Sequence, residues 1–510
     1  MAIQQKTWLL VGGLALVVAG CGGGSSSSSG DGGTTPTDPT TPVTPTQPNL
    51  SERIEPFDTL AKSTEASAAA SAQSAGGGVL YGQAAKPSIR TVSLGAPAAS
   101  LLQKSTATAT GNLEKAAEAV QIGAKRDVAA TATVAGLQSQ LSWQPGSGGT
   151  QLAAIAFDSA TAQGVRLGVW VKSLPAGAVL RFYGASGGEA VQVTGAELEA
   201  QAAQLRQSGA DDQTVHTYWS PDFGGTQTVL EIQVPAGADV QQVQVAVPRL
   251  SHFTQSAAQA QKSVDEKASS GSCNVDLMCQ PDYLAQGRSV ARMTYTREDG
   301  LSYLCTGTLL NDATTSKTPY FLTANHCVST QAQASTLITD WFYHSASCGS
   351  STVSTDTRRL TKGSTLLYST ASTDTSFVQL NEAPPAGVVY AGSYFGAALS
   401  ARSGIAGVHH PSGDMEKLSV GTLKGYGQCG NGTCLDTDVS SGTFYGVNWQ
   451  QGTTEGGSSG SALFYSIGSQ RYVSGQLYGG NASCREPNGT DYYGRFDVSY
   501  KAKIKQWLNP

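Results

Sequence analysis

The stretch Thr454-Glu455-Gly456-Gly457-Ser458-Ser459-Gly460-Ser461-Ala462-Leu463-Phe464 is rich in glycine and serine, and so is Cys21-Gly-Gly-Gly-Ser-Ser-Ser-Ser-Ser-Gly30 near the start of the chain. The earlier run leads only into more Gly, Ser, Thr and Pro, where almost nothing repays the entropy of ordering. The later one is clamped between Trp449 and the apolar Ala462-Leu463-Phe464, so its backbone must take one defined turn. Glycines in such a turn let the main chain aim two N–H groups, here those of Gly457 and Ser459, at one point, as an oxyanion requires. Ser459, in Gly-x-Ser-Gly ahead of an apolar segment, is then a candidate nucleophile.

A serine hydroxyl needs a base. Tyr320-Phe-Leu-Thr-Ala-Asn-His326-Cys327 is an apolar strand that breaks at a histidine, and Cys305-Thr-Gly-Thr-Leu-Leu lies upstream on another strand. A Cys305–Cys327 bridge would fix the His-bearing turn to its neighbour. Asp374-Thr-Ser-Phe-Val-Gln-Leu380 sets an aspartate at the start of an alternating strand. Taken singly, these residues have ordinary structural readings, a satisfied core histidine and a turn or cap aspartate. In the order His326, Asp374, Ser459 they are specific. His326 can accept the Ser459 proton, Asp374 can hold the imidazole tautomer and stabilise its cation, and the Gly457 and Ser459 N–H groups can bind the tetrahedral oxyanion.

Charged residues make up 14% of the chain and the net charge is −5, so no basic face for nucleic acid is implied. Lys6 precedes about a dozen mostly apolar residues, 8–19, enough for a signal-peptide core and too few to span a bilayer comfortably. The run ends Val18-Ala19-Gly20-Cys21, which resembles the lipobox of bacterial lipoproteins. Cys21 is therefore the candidate lipidation site, residues 22–50 a flexible-to-extended tether, and the precursor an exported, lipid-anchored chain. The other eight of the nine cysteines, Cys273, Cys279, Cys305, Cys327, Cys348, Cys429, Cys434 and Cys484, all follow residue 270. An even set in an exported chain, with no CxxC or HExxH, reads as disulfides in an oxidising compartment rather than as a metal site. No EF-hand-like loop is present, and no metal or cofactor is expected.

The chain is too long for one typical domain. Residues 51–90 give weak signals, with a short helix over 65–72. Farther on, Arg166-Leu-Gly-Val-Trp-Val-Lys172, Val179-Leu-Arg-Phe-Tyr183, Val229-Leu-Glu-Ile-Gln-Val234 and Val240-Gln-Gln-Val-Gln-Val-Ala-Val247 alternate as half-buried strands. Thr194-Gly-Ala-Glu197 is a capping-box pattern opening a helix with Leu198 and Leu205 on its apolar side. A polar stretch without hydrophobic period, 254–271, reads as a linker open to proteolysis. The last domain ends in Lys501-Ala-Lys-Ile-Lys-Gln-Trp-Leu508, a helix whose Ile504, Trp507 and Leu508 share one face.

With Ser-Gly-Ser-Cys273-Asn, Cys305-Thr-Gly, Phe-Leu-Thr-Ala-x-His326-Cys327, His409-His410-Pro411, Gly-Ser-Ser459-Gly-Ser and Gly-Gln-Leu-x-Gly-Gly480, residues 268–507 resemble the secreted bacterial lysyl endopeptidases of the Achromobacter protease I type, within the chymotrypsin-like serine peptidases. The resemblance implies an all-β fold, a double antiparallel β-barrel with a C-terminal helix, its active site between the barrels, preceded by a small β-rich, sandwich-like prodomain. It suggests the pairs Cys273–Cys484, Cys279–Cys348 and Cys305–Cys327, which leaves Cys429 and Cys434, five apart, to close a loop of their own.

In trypsin-like enzymes the specificity acid stands six residues before the nucleophile, and that position is Thr453. In the lysyl endopeptidases the acid precedes Tyr-Gly-Arg, which matches Asp491-Tyr-Tyr-Gly-Arg495. Asp491 is therefore the candidate partner of a substrate cation, against the plainer reading of a turn aspartate after Asn488-Gly489-Thr490. Glu455 is the other acid near in sequence. The family lines this pocket with a Trp, matched by Trp449, and with a His whose place Tyr478 takes, which leaves Lys against Arg open. His409 and His410, adjacent on a strand, face opposite sides, make a poor metal pair and are read as structural. His216, His252 and His344 are assigned no chemistry.

The region before the linker resembles the family's propeptide. The family's mature start falls at Ala268, and the residue before it is Lys267, where a lysine-specific enzyme would cut itself. The domains expected are a signal peptide over 1–21, the tether over 22–50, a propeptide over 51–253 that aids folding of a high-contact-order barrel and keeps it latent, a linker over 254–267, and a peptidase over 268–510. The function read from all this is a secreted serine endopeptidase cutting protein or peptide substrates after Lys, or Arg, through an acyl-enzyme, its mature domain extracellular and monomeric. The alternatives are a trypsin-like peptidase of broader preference and a surface-attached binding protein with a degenerate protease domain. The intact His, Asp and Ser argue against the last.

Overall fold

The computed structural model describes residues 52–60, 89–98, 119–185, 190–255 and 270–510. The chain divides into two units, residues 1–46 and 47–510, and every described residue belongs to the second. Cys21 and its tether, the helix expected over 65–72 and the Lys267–Ala268 bond lie outside the described residues.

The first structured region is a sandwich. One sheet runs in the order Arg90–Leu94, Gln151–Ser159, Gln227–Val234, Val179–Gly184, Val191–Thr194; the other in the order Thr217–Trp219, Gly164–Ser173, Gln244–Phe253, Val120–Asp127. Alternate residues of each turn inward. Phe157, Leu180, Phe182 and Ile232 from one sheet meet Leu167, Val169, Val245 and Leu250 from the other in one apolar core. The helix Gly195–Gln207 carries the expected capping box between Thr194 and Glu197 and buries Leu198 and Leu205. The strand expected from Val240 starts later. Asp239 accepts the Gln241 N–H at 2.9 Å, which turns Val240–Gln242 into a short 3-10 segment, and the strand runs instead from Gln244 to Phe253.

Two antiparallel barrels follow. The strands of the first are ordered Ile338–Trp341, Val290–Thr296, Ser302–Leu310, Tyr320–Ala324, Thr375–Leu380, Ser364–Thr370. The second closes on itself through Ala462–Ile467, Gly404–His409, Lys417–Gly430, Phe444–Gln451, Asp491–Arg495 and Gln470–Gly480, whose last strand pairs back with the first. The fold is all-β. Its C-terminal helical segment buries Ile504 and Leu508 in the core shared by the barrels, and the Trp507 ring lies 5.8 Å from that of Phe377.

Sandwich and first barrel share a sheet, because Val120–Asp127 pairs with Gln244–Phe253 on one edge and with Ser302–Leu310 on the other. Residues 53–54 and 57–58, which the sequence reading groups with the N-terminal region, pair with Gly392–Tyr394 and Val389–Tyr390 of the barrels. A buried chain of charges crosses the same junction. Arg359 donates to Asp222 of the sandwich at 3.2 Å and to Asp340 at 2.7 Å, and Arg292 donates to Asp340 at 2.9 Å and to the Gly413 carbonyl at 3.0 Å. Burial works against each charge, but the opposite charges outweigh it, raising the Arg359 pKa and lowering that of Asp340. Replacing Asp222 with Asn leaves Arg359 buried with one carboxylate fewer, and is expected to lower the stability of a Ser459→Ala chain by about 3 kcal/mol in urea unfolding.

Candidate active site

His326 follows the strand Tyr320–Ala324 and Asp374 precedes its antiparallel neighbour Thr375–Leu380, so the two meet at one end of the pair. Asp374 Oδ2 lies 2.7 Å from His326 Nδ1, and Oδ1 accepts the His326 backbone N–H at 2.9 Å. Asp374 has φ +50°, a left-handed conformation that Asp tolerates better than most residues. The carboxylate favours the tautomer protonated at Nδ1 and leaves Nε2 as an acceptor; Nε2 is buried without a hydrogen-bond partner among the described residues. The Asp374 turn is pinned from the second barrel and the C-terminal segment. Gln476 Nε2 donates to the Thr373 carbonyl at 2.7 Å, and the Thr373 hydroxyl meets Ser499 Oγ at 2.6 Å.

The Ser459 turn presses against this pair. Gly457 has φ +94°, and a Cβ there would lie 2.9 Å from the His410 carbonyl; Gly460 has φ +83°, and a Cβ would lie 2.2 Å from Thr323 Oγ1. Glycine is what lets the turn approach the end of the His326 strand. The Ser459 carbonyl accepts the Thr306 N–H at 2.8 Å and lies 3.9 Å from Cys327 Sγ, which puts Ser459 beside the Cys305–Cys327 bridge and the adjoining histidine. The Gly457 carbonyl accepts the Thr306 hydroxyl at 2.8 Å. The N–H groups of Gly457 and Ser459 donate to no backbone carbonyl among the described residues. His409, fully buried, meets Ser458 Oγ and Ser419 Oγ at 2.9 Å each, holding the turn from behind.

Asp491 opens the strand Asp491–Arg495 and is 0% exposed. Its Oδ2 accepts Trp449 Nε1–H at 2.8 Å and the Thr454 hydroxyl at 2.6 Å. Glu455, the other acid weighed for this pocket, is engaged elsewhere. It accepts the Gly271 N–H at 2.7 Å, Asn274 Nδ2 at 2.8 Å and the Ser412 hydroxyl at 2.9 Å, and so anchors the segment that follows the linker. Tyr478 sits at a bulge between Leu477 and Gly479. Its ring packs on Phe444 and the Cys429–Cys434 loop and stands edge-on to His326 at 6.2 Å. The disulfides are Cys273–Cys484, Cys279–Cys348, Cys305–Cys327 and Cys429–Cys434. Cys305, His326 and Cys327 place their ligand atoms within 4.8 Å of one another, but the two sulfurs are bonded together and offer no thiolate to a metal.

The profile of "Lysyl endopeptidase, C-terminal domain" matches residues 267–494, and that of "Lysyl endopeptidase N-terminal domain" matches residues 93–254. A lysyl endopeptidase of Pseudomonas aeruginosa is 34% identical over 359 residues, which cover 68% of this chain and 72% of that one. The chain belongs to the lysyl endopeptidase family. It is a serine endopeptidase. Among solved structures, the Rv3671c protease from M. tuberculosis in its active form is 14% identical with a TM-score of 0.31, covering 48% of this chain and 95% of that one. The HtrA-type protease AlgW with a tripeptide is 15% identical with a TM-score of 0.30, covering 45% and 62%.

In this lysyl endopeptidase family member the sequence reading left out Thr454 and Tyr493. Nothing in the string marks Thr454. Tyr493 stands two residues after Asp491 on one strand, so the period of two puts both on one face; its ring packs edge-on against Trp449 at 6.1 Å, and burial together with Asp491 pushes its pKa well up. His410 and Glu416 are buried together, Nε2 and Oε1 3.9 Å apart. Burial lowers the His410 pKa to about 3 and raises that of Glu416 well above its usual range, so both are neutral and form no ion pair.

Two outcomes follow from this geometry. Asp374→Asn, which favours the wrong imidazole tautomer, is expected to lower kcat by about 10⁴ with KM little changed, read on a peptide substrate. Below the ordinary histidine pKa of 6.5, the unfolded chain takes up a proton at His410 that the folded chain refuses until about pH 3. Stability should therefore fall with falling pH by about 1.4 kcal/mol per unit for that proton. His410→Gln in a Ser459→Ala chain should flatten the acid limb of the urea-unfolding profile by that slope.

Proposed function

We propose that this serine endopeptidase cleaves on the carboxyl side of Lys, with His326, Asp374 and Ser459 as its catalytic residues. His326 Nε2 takes the Ser459 proton as Oγ attacks the scissile carbonyl, and Asp374 stabilises the imidazolium. The Gly457 and Ser459 N–H groups receive the oxyanion. His326 then protonates the leaving amine, and a water activated by the same nitrogen hydrolyses the acyl-enzyme.

The observation that carries the specificity is the fully buried carboxylate of Asp491, with Trp449 and Thr454 both donating to Oδ2. A carboxylate held away from water attracts a substrate cation more strongly than an exposed one does. A bidentate guanidinium needs both oxygens, whereas a compact ammonium is satisfied as a point charge, so the double engagement of Oδ2 favours Lys over Arg. The "Lysyl endopeptidase" name of the Pseudomonas aeruginosa relative points the same way. In this reading residues 51–253 are a propeptide, the chain matures by its own cut after Lys267, and Cys21 carries the lipid that tethers the exported precursor until the mature, monomeric enzyme is released.

Asp491→Asn should depress cleavage after Lys by about 10³ or more while leaving hydrolysis of a small activated ester within about threefold, since one buried charge contact of about 4 kcal/mol is lost from the substrate and none from the catalytic residues. Equal loss on both substrates would end the specificity assignment. A Ser459→Ala chain should accumulate as uncut precursor, seen by intact mass; efficient processing without added protease would remove self-maturation.

A further inference from the structure

We infer that the strand Val120–Asp127 occupies the leaving-group side of the active site as a built-in competitor of the peptide substrate, an inference that rests on the roles proposed above for His326 and Ser459. Val120 pairs with Leu304, Gln121 with Tyr303 and Gly123 with Ser302, all antiparallel. Leu304 is the neighbour of Cys305, whose disulfide partner Cys327 adjoins His326. One residue nearer the N-terminus, Ala119 is buried in the same apolar cluster as Cys305 and Cys327. On the other side, Val120 Cγ2 lies 2.6 Å from where a Cβ on Gly456 would sit, next to the Gly457 N–H. The strand thus bridges the two walls of the cleft at the reacting centre.

Its polarity is that of a substrate. Thr306, two residues beyond Leu304, donates its N–H to the Ser459 carbonyl, so the Ala119 end of the strand faces the nucleophile and the Asp127 end runs away from it. Residues after a scissile bond must depart from the serine in this N-to-C direction, and an exposed sheet edge takes such a segment by main-chain pairing. The strand lies against Leu304, next to Cys305, and against Gly456, whereas the roles proposed above put Asp491, Trp449 and Thr454 on the acyl side. The sandwich holds the strand in place. A Cβ on Gly123 would lie 2.4 Å from Ser251 Oγ and 2.8 Å from Ser302 Cβ, so sandwich and barrel close tightly around that glycine, and Arg166 donates from the sandwich to Thr296 Oγ1 at 2.9 Å and to the Thr336 carbonyl at 3.0 Å. Tethered in this way, the strand competes at an effective concentration on the order of millimolar.

The test uses the full chain kept uncut by Lys267→Gln, checked by intact mass, and two probes. A peptidyl-lysine boronic acid reaches Ser459 from the acyl side with only hydroxyls toward the leaving side; a peptide with Lys followed by several residues must use both sides. Relative to the matured enzyme, the uncut chain should bind the boronate within about threefold but cleave the peptide at least about tenfold more slowly, as expected of an intramolecular competitor. Val120→Arg, which cannot seat against Gly456, should close that gap, and the milder Val120→Ala should close part of it if the arginine chain fails to fold. Peptide cleavage by the uncut chain at the matured rate, or a gap that neither variant narrows while the boronate still binds, would overturn the inference. Failure of the boronate to bind even the matured enzyme would instead bring down the assignment of Ser459, and this inference with it.

Discussion

One carboxylate holds both the ring and the backbone of His326, and the rest of the fold serves to keep it there. Asp374 reaches both donors from a left-handed turn, and that turn is fastened by Gln476 and Ser499, which belong to the second barrel and the C-terminal segment. The histidine and aspartate come from the first barrel and the serine from the second, so the site exists only where the barrels meet. The apolar core shared by Leu310, Leu322 and Phe377 of one barrel and Val408, Phe464 and Val473 of the other therefore holds the two halves of the candidate site together.

The sandwich is coupled to that seam in two ways. Its strand Val120–Asp127 continues the barrel sheet, and the buried chain Asp222, Arg359, Asp340, Arg292 ends on the Gly413 carbonyl, in the loop whose Ser412 N–H donates to the Gly456 carbonyl. Charges this deep are stable only while every partner is present. The N-terminal region is thus joined to the barrels by a sheet edge and by a chain of buried ion pairs.

Much of this was legible in the string, for reasons that are local. The strands of the sandwich show a period of two because each has one face in the core and one outside, and the capping box at Thr194 and Glu197 works within four residues. His326, Asp374 and Ser459 each sit where a strand begins or ends, and sequence pattern marks such places well. Other features were illegible. Arg53 to Asp58 carries no alternation, because only two residues at a time pair with the barrels. Glu455 and Asp491 look alike as acids near the nucleophile, and only their partners separate them. Tyr478 stands in the family's pocket-lining position, and its edge-on contact with His326 is a pairing across the fold that no neighbour in the chain marks.

By itself the sequence determined the element types, the candidate triad and the glycines at Gly457 and Gly460, because hydrophobic period, strand-end polar residues and turn chemistry are set by neighbours along the chain. The tertiary structure alone decided which acid lies buried against Trp449 and Thr454, which one anchors the segment after the linker, and that a strand of the N-terminal region pairs with the first barrel beside Cys305. Those are pairings between residues tens to hundreds of positions apart. Their energies depend on burial and on the direction of approach, and neither is written in any short window of the chain.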